Sequence, residues 1–464
     1  MNLRKTVENL QVEKNGAWVL LGFFLIAGVT IKFGFLSQGS LWPDEALYLY
    51  IARNLSFDLS NLTDISGRIF YHNPPLLMYL LSLMPNTDPN AFSTAARSVI
   101  VLMNIATIAI TYFIGKKTYH PLVGLMAAGF VAVCPLSNWT SVRILTDTPV
   151  VFFIYLSICM LIYDKKTAFY FFGLCAVLTK YSAFPVLFLP LLLRLKTRTW
   201  AMIYAGIFVL LLGFILSRSF LPGPPDWISS FYFYFQIPDI MQMVMETEFF
   251  MGYFLIGFTL IGLIFTIADK KYSALFHWVI LFGLFRFFLP WFIFRVSRYT
   301  LPLYPGLLIL AAYGCYRSAQ FLALKWPQYT KWVTLFFVIA ISSVLLFQSM
   351  KSIDVLNNSS KTFVGYDKAS AFLRSEPGPH IIATASPGQM KYFNPGFNIY
   401  DIDPNGSPAD LQKFVREKDI HYLAIDLWSP HLPAWCRSFD FPQNGYVPIY
   451  GHQKVYVFKV LKKQ

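Results

Sequence analysis

Two adjacent carboxylates, Asp44 and Glu45, follow the first long apolar run of the chain. Pro43 favours a helix start here, and both carboxylates then fall in the first turn, where negative charge suits the helix dipole. A carboxylate in this position can take the proton of an attacking hydroxyl. The alternative is that Asp44 only caps a surface helix. The apolar residues that follow predict a helix that lies in a membrane interface.

Further ionisable groups lie at the ends of apolar runs. An ionised side chain is energetically unfavourable there, so its presence indicates a function. They are Arg97, Arg143, Asp147, Lys180, Arg295 and Arg298. Carboxylates and cations on one side of a helical bundle suit transfer from a phosphate leaving group, which needs a base for the acceptor and fixed positive charge for the phosphate. The alternatives are ordinary: Asp147 starts a helix and pairs with Arg143, and Lys180 extends to the interface.

The composition is that of a polytopic membrane protein. The chain has 464 residues, of which 56% are hydrophobic, 18% aromatic and only 13% charged, and soluble domains of this length do not have such a composition. The net charge of +14 could indicate a nucleic-acid partner. However, the Lys and Arg residues form short clusters between apolar runs, which is a membrane-topology signal, so we expect no nucleic acid.

The apolar runs predict about eleven membrane helices. They cover residues 16–36, 92–114, 121–136, 148–163, 168–179, 183–193, 200–217, 250–268, 273–290, 300–317 and 332–349. Because the basic clusters fall in alternate connections, we expect a multi-pass protein of the cell membrane with a cytoplasmic N-terminus and an extracytoplasmic C-terminus. The candidate chemistry then lies outside. The short runs around Lys180 are either short helices buried against protein or one broken hairpin.

Composition also divides the chain into residues 1–349, a transmembrane catalytic module with a first outer loop at 37–91, and residues 350–464, a soluble extracytoplasmic domain. In this tail we expect helices at 367–375 and 408–418, strands at 380–385, 397–402 and 421–427, and a closing hairpin at 446–460. A Pro-Gly turn follows the first strand. This alternation predicts a small parallel α/β layer. Asp401 and Asp403 suit turn chemistry better than a metal, and the histidines lack ligand spacing.

Five motifs in this order resemble the GT-C superfamily of glycosyltransferases, in particular the protein O-mannosyltransferase and lipid A aminoarabinose transferase group. They are the Asp44-Glu45 pair, the Pro74-Pro75 helix start, Thr146-Asp147-Thr148-Pro149, Leu178-Thr179-Lys180, and Arg298-Tyr299. The resemblance implies a mainly α multispan bundle with an outer catalytic cavity. It also implies a sugar donor carried on a polyprenyl phosphate, dolichyl or undecaprenyl.

By this resemblance Asp44 matches the acidic residue assigned to the acceptor, Glu45 its companion and Asp147 the second acidic position. Lys180 and Arg298 match positions near the donor phosphate. Tyr299, His72 and Arg97 are further candidates for that phosphate. Lys and Arg can hold a monophosphate leaving group, so a divalent metal is neither indicated nor required as a cofactor.

The chain also departs from the family. His72-Asn73 stands where the lipid A enzymes have Glu-Lys, and Asn73 separates His72 from the prolines, whereas the mannosyltransferases have His directly before them. Neither acceptor therefore carries over.

The sequence predicts a membrane hexosyltransferase, mannosyltransferase-like. It would transfer a sugar from a polyprenyl phosphate, with inversion, to a protein, glycan or lipid acceptor outside. The alternatives are a transporter or flippase of a lipid-linked sugar, and a non-catalytic membrane assembly protein. The sugar and the acceptor remain open.

Overall fold

The structure is a computed structural model. It describes residues 14–36, 41–55, 62–64, 67, 70, 73–84, 88–218, 237–288, 297–403, 405–427, 429 and 432–461, without the side chains of 14–15, 211–218, 237–248, 285–288 and 297. The candidates His72 and Arg295 lie outside the described residues.

The described residues are mainly helical. The helices are α1 (Lys14–Phe33), α2 (Pro43–Asn54), α3 (Leu76–Ser82), α4 (Pro89–Thr118), α5 (Pro121–Ala132), α6 (Pro135–Ser141), α7 (Asp147–Ile162), α8 (Lys166–Thr179), α9 (Leu189–Arg194), α10 (Thr197–Arg218), α11 (Ile237–Ala268), α12 (Ala274–Phe288), α13 (Tyr304–Lys325), α14 (Thr330–Ser360), α15 (Tyr366–Ser375), α16 (Pro387–Phe393) and α17 (Pro408–Glu417). Each predicted apolar run overlaps helical structure.

Among the described residues, five helices are long and apolar enough to cross a membrane, or six if the bent pair α5–α6 counts as one span. The prediction of about eleven spans is therefore not confirmed. The remaining apolar helices, in the regions of α7 to α10 and α12, are shorter.

The segment around Lys180 shows how such short helices arise. α8 ends at Thr179, and Lys180 is extended, with φ −157° and ψ 124°. A 3-10 helix, Tyr181–Phe188, follows before α9, with Pro185 inside it. Proline removes a backbone donor and restricts the preceding residue, so a continuous α-helix does not form here. Of the two structures considered for the segment around Lys180, the structure therefore contains the short helices.

Two compact units make up the chain. The first, residues 1–32, 100–141 and 146–354, holds most of the membrane helices. Within it α11 packs closely on α13, where Gly262 approaches the Leu310 carbonyl and Gly314 approaches the Phe258 carbonyl. A Cβ at either glycine would collide with backbone, so only glycine permits this crossing.

The second unit contains residues 33–99, 142–145 and 355–464. Its sheet has strands β1 (Ile381–Thr384), β2 (Asn398–Asp401), β3 (Tyr422–Asp426), β4 (Tyr446–His452) and β5 (Val455–Val460), in the order β2-β1-β3-β5-β4. The first three strands are parallel, while β5 and β4 form the predicted antiparallel hairpin. One expectation was wrong: the Pro387-Gly388 pair starts the helix α16 rather than a turn, because proline suits a first helical position.

Candidate active site

Helix α2 begins as the sequence predicts, with Pro43 in its first turn and Asp44 and Glu45 directly after it. The Glu45 Oε2 atom accepts a hydrogen bond from the Trp42 backbone N–H at 2.9 Å, which closes the helix start. Within the second unit α2 packs against α3 and α16. The helix is therefore buried by protein on much of its surface, beyond the one-sided apolar face that the sequence suggested.

The Glu45 carboxylate is fully buried and joins three parts of the second unit. Arg97, on α4, donates from Nε to Oε1 at 2.9 Å and from Nη2 to Oε2 at 3.1 Å. Arg143 donates from Nη1 to Oε2 at 3.4 Å, and the Ile144 backbone N–H donates to Oε1 at 2.9 Å. One carboxylate thus fixes the start of α2 against α4 and against residues 142–145.

Two cations, Arg97 and Arg143, face the single Glu45 carboxylate. Burial acts to raise the pKa of Glu45, but the charges of Arg97 and Arg143, with hydrogen bonds from Arg97 and Trp42, hold that pKa below its ordinary value. Burial lowers the pKa of Arg143 to about 10, against the opposing effect of Glu45. Arg143 therefore stays protonated at neutral pH, and Glu45 stays ionised.

The two guanidinium groups have further partners in the second unit. Arg97 donates from Nη1 to the Leu36 carbonyl at 3.1 Å. Each nitrogen of its guanidinium group therefore donates a hydrogen bond to the protein. Arg143 donates from Nη2 to the Ser359 carbonyl at 2.7 Å. Its guanidinium carbon lies 5.3 Å from the Trp42 ring centroid. Through these contacts the Glu45 cluster connects separate segments of the second unit, which is a structural role.

Asp44 has a different environment, although it is the next residue. It is only half-buried, whereas Glu45 is completely enclosed. A carboxylate that accepts a proton from a substrate must be reachable, and of the two only Asp44 meets this condition. Glu45 holds the helix turn that carries Asp44.

The C-terminal tail supports the same helix. Arg53, at the end of α2, donates to the Tyr392 carbonyl on α16 at 3.3 Å and lies 5.5 Å from the Tyr392 ring centroid. The Tyr392 hydroxyl donates to the Pro89 carbonyl at 2.7 Å. α16 therefore links the end of α2 to the beginning of α4.

A second cluster lies in the first unit. Lys180 Nζ lies 2.7 Å from Asp147 Oδ1, and Arg298 Nε lies 3.8 Å from Asp147 Oδ2. The Tyr299 ring lies close to both cations, with its centroid 4.2 Å from Lys180 Nζ and 5.6 Å from the Arg298 guanidinium carbon. Two cations and one carboxylate leave a formal charge of +1. Lys180 and Arg298 are each 15% exposed, so the cluster is accessible to a ligand at its edge.

Buried hydrogen bonds position this cluster. Arg298 and Tyr299 lie in a 3-10 helix, Ser297–Leu303, directly before α13. The Tyr155 hydroxyl, on α7, donates to the Pro302 carbonyl at 3.0 Å and accepts from the Gly306 N–H at 2.8 Å. Because Asp147 begins α7, these bonds hold the Asp147 helix and the Arg298 segment together.

The structure therefore sorts the predicted residues into two groups. Glu45 and Arg97 share one cluster with α2 and Asp44; Asp147, Lys180, Arg298 and Tyr299 share the other. The suggested Arg143–Asp147 pair is replaced by two longer-range pairs, Arg143 with Glu45 and Lys180 with Asp147. Sequence reasoning missed Arg53 and Tyr392, which carry no motif.

No protein-family model and no curated protein sequence matches the chain. Solved structures do. ArnT from Cupriavidus metallidurans, bound to undecaprenyl phosphate, aligns with a TM-score of 0.58 and 13% identity over 96% of this chain and 98% of ArnT. The oligosaccharyltransferase AglB from Archaeoglobus fulgidus, in complex with an inhibitory peptide and a dolichol-phosphate, aligns with a TM-score of 0.56 and 11% identity over 97% of this chain and 75% of AglB.

The arabinofuranosyltransferase AftD from Mycobacteria aligns with a TM-score of 0.51 and 12% identity, over 97% of this chain and 40% of AftD. This chain has the GT-C fold. The resemblance seen in the sequence motifs is therefore confirmed at the level of the fold, and the likeness extends over the sheet-bearing tail as well as the helices.

Proposed function

We propose that this chain is an integral membrane glycosyltransferase that transfers a sugar from a polyprenyl phosphate to an acceptor hydroxyl. The GT-C fold supports this proposal, because proteins with the same fold are glycosyltransferases that were solved with undecaprenyl phosphate or dolichol-phosphate. Fold alone does not specify chemistry, so the proposal depends on the site.

The observation that carries the proposal is the cluster of Lys180, Arg298 and Tyr299 around Asp147. A sugar phosphodiester has one negative charge, and the released phosphate monoester has about −1.5 to −2. Charge on the phosphate therefore grows as the glycosidic bond breaks. Cations held in place by Asp147 stabilise the products and the transition state more than the bound donor, which is the condition for catalysis.

Asp44 supplies the other half of the reaction. The acceptor oxygen forms a bond to the anomeric carbon from the face opposite the phosphate, and the bond from that carbon to the phosphate oxygen breaks. The phosphate leaves with the electron pair, and Asp44 takes the hydroxyl proton. One displacement of this kind inverts the anomeric configuration.

Glu45 and Arg97 receive a supporting role in this proposal. Their side chains bind each other in the interior, so we assign them to positioning α2 and therefore Asp44, rather than to base catalysis or phosphate binding. His72 stays a prediction for the phosphate. Asp147 orients the two cations.

The remaining assignments are proposals too. Residues 1–349 form the membrane catalytic module and residues 350–464 an extracytoplasmic domain, with the N-terminus in the cytoplasm of a cell-membrane protein. The chemistry requires no divalent metal, since Lys180 and Arg298 can hold the phosphate. A hexose such as mannose is the proposed sugar, and the acceptor is a protein, glycan or lipid.

The direct test is release of polyprenyl phosphate. The purified chain in lipid nanodiscs is incubated with labelled undecaprenyl- and dolichyl-phosphate sugars and a membrane extract as acceptor source. We expect free polyprenyl phosphate and labelled acceptor in equal amounts. In a parallel assay with the chain reconstituted in sealed vesicles, movement of the intact donor across the membrane without release would instead identify a flippase. Absence of both activities with every donor would favour an assembly protein.

A further inference from the structure

The first unit contains a pocket of about 380 Å³ far from Asp147. Its lining residues are Lys117, Thr118, Leu161, Ile162, Leu193, Lys271, Tyr272, Ser273 and Ala274. Two of them are at the carboxyl end of α7, whereas Asp147 begins that helix. A helix of 16 residues is about 24 Å long, so this pocket is separate from the candidate active site.

Two lysines give the pocket a positive charge. Lys117 Nζ lies 5.6 Å from the Tyr163 ring centroid. Lys271 Nζ lies 5.4 Å from the ring centroid of Tyr119 and 5.2 Å from that of Tyr313. Aromatic faces hold the ammonium groups in place without neutralising them.

The acid that acts on Lys271, Asp269, has other partners. Asp269 Oδ1 lies 3.2 Å from Arg317 Nη2, and Asp269 also accepts from the Tyr313 hydroxyl. Burial lowers the pKa of Lys271, Asp269 opposes this, and Arg317 adds to it. Because the pKa remains below its ordinary value, the positive charge of Lys271 is incompletely compensated, and a bound anion would be stabilised there.

Polar groups in the wall also point to a ligand. The Thr118 hydroxyl oxygen is buried and has no hydrogen-bond partner in the part of the chain that the structure describes. A buried hydroxyl without a hydrogen-bond partner is destabilising, and a ligand oxygen that pairs with it would relieve this cost. Ser273 and Ala274 place the amino-terminal end of α12 at the pocket wall, and the positive end of a helix dipole favours an anion.

Part of the pocket lining is apolar, formed by Leu161, Ile162 and Leu193. Leu193 is 40% exposed on the helical surface. A free anion gains nothing from such a wall, whereas a lipid places its phosphate among cations and its chains along leucines. We propose that this pocket binds the phosphate head group of an anionic phospholipid, with the acyl chains along Leu161, Ile162 and Leu193.

The test uses the full chain in detergent with water-soluble dioctanoyl phosphatidylglycerol as the probe, and native mass spectrometry to measure bound lipid. The double variant K117Q/K271Q removes both cations. Each basic residue near an anionic lipid contributes about 1 kcal/mol, or about fivefold, so the double variant should bind about 25-fold more weakly. The matched control is K116Q/K270Q, which removes the same charge from adjacent residues that do not line the pocket.

A third variant, Thr118→Val, keeps every charge and the side-chain volume, and should weaken binding about twofold to tenfold through the lost hydrogen bond. Thr118→Val therefore still tests the proposed lipid site if K117Q/K271Q does not fold. Dioctanoyl phosphatidylcholine should bind more weakly than phosphatidylglycerol. The proposal is overturned by equal losses in both double variants, by unchanged binding in Thr118→Val and K117Q/K271Q, or by inorganic phosphate binding as tightly as the lipid.

Discussion

Replacing Glu45 with Gln tests the connection between α2, α4 and residues 142–145. The substitution keeps the side-chain size but removes the charge that compensates Arg97 and Arg143. It also places an amide N–H₂ among donors, since both guanidinium groups, the Trp42 N–H and the Ile144 N–H already point at the carboxylate. Breaking a buried pair by removing one partner costs about 3–5 kcal/mol.

This loss should be visible as thermal destabilisation. For a unit of this size, 1 kcal/mol changes Tm by about 2–4 °C, so Glu45→Gln should lower the Tm of the detergent-solubilised protein by about 6–20 °C. The matched control is Glu417→Gln in the same unit, where the partner Lys413 is 3.8 Å away and both groups are exposed. That change should cost at most about 0.5 kcal/mol.

The effect of Glu45 should also depend on pH with a definite sign. Its pKa is lowered in the folded protein, so its stabilising contribution is present above the ordinary glutamate pKa of about 4.3 and is lost as the pH falls through the folded value. The Tm difference between wild type and Glu45→Gln should therefore be largest near neutral pH and shrink in strong acid. A Tm difference below 2 °C at pH 7, with the control unchanged, would refute the structural role of Glu45.

Three further changes test other parts of the account. Tyr392→Phe removes the hydrogen bond to Pro89, so melting curves should show a Tm lowered by about 2–4 °C, and an unchanged Tm would argue against the α16 link. Deleting residues 355–464 removes α16 from α2 and should impair acceptor use more than donor binding in a filter-binding assay; complete loss of donor binding would place the tail in the donor site. Burial raises the pKa of the Cys436 thiol to about 12, so a thiol reagent should modify Cys436 only after unfolding, as peptide mass mapping would show, and rapid labelling of the native protein would contradict its burial.

Local patterns predicted much of this fold. The start of α2 follows from Pro43 and the acidic first turn, which are preferences of adjacent residues. The tail strands follow from short apolar runs between polar turns. The Pro387-Gly388 pair misled the prediction because proline serves turns and first helical turns equally, and packing decides between them.

The pairing of charges could not be obtained in this way. Sequence proximity suggested Arg143 with Asp147, but the structure pairs Arg143 with Glu45, 98 residues away. Lys180 and Arg298 were selected as charges at helix ends, yet nothing in their spacing indicates that both meet Asp147. Such contacts depend on how helices pack, and the helix register is set by many weak apolar contacts.

The most direct test of the proposed mechanism compares Asp44→Asn with Lys180→Ala and Arg298→Ala. Donor-lipid affinity and sugar transfer are measured for each variant, with folding checked by gel filtration. Base catalysis is worth about 100- to 10,000-fold, so Asp44→Asn should lose transfer by that factor and keep donor affinity. The two cation variants should lose both, because positive charge faces the phosphate before and during the reaction. Transfer by Asp44→Asn at the wild-type rate would contradict the account and leave Asp44 as a helix cap.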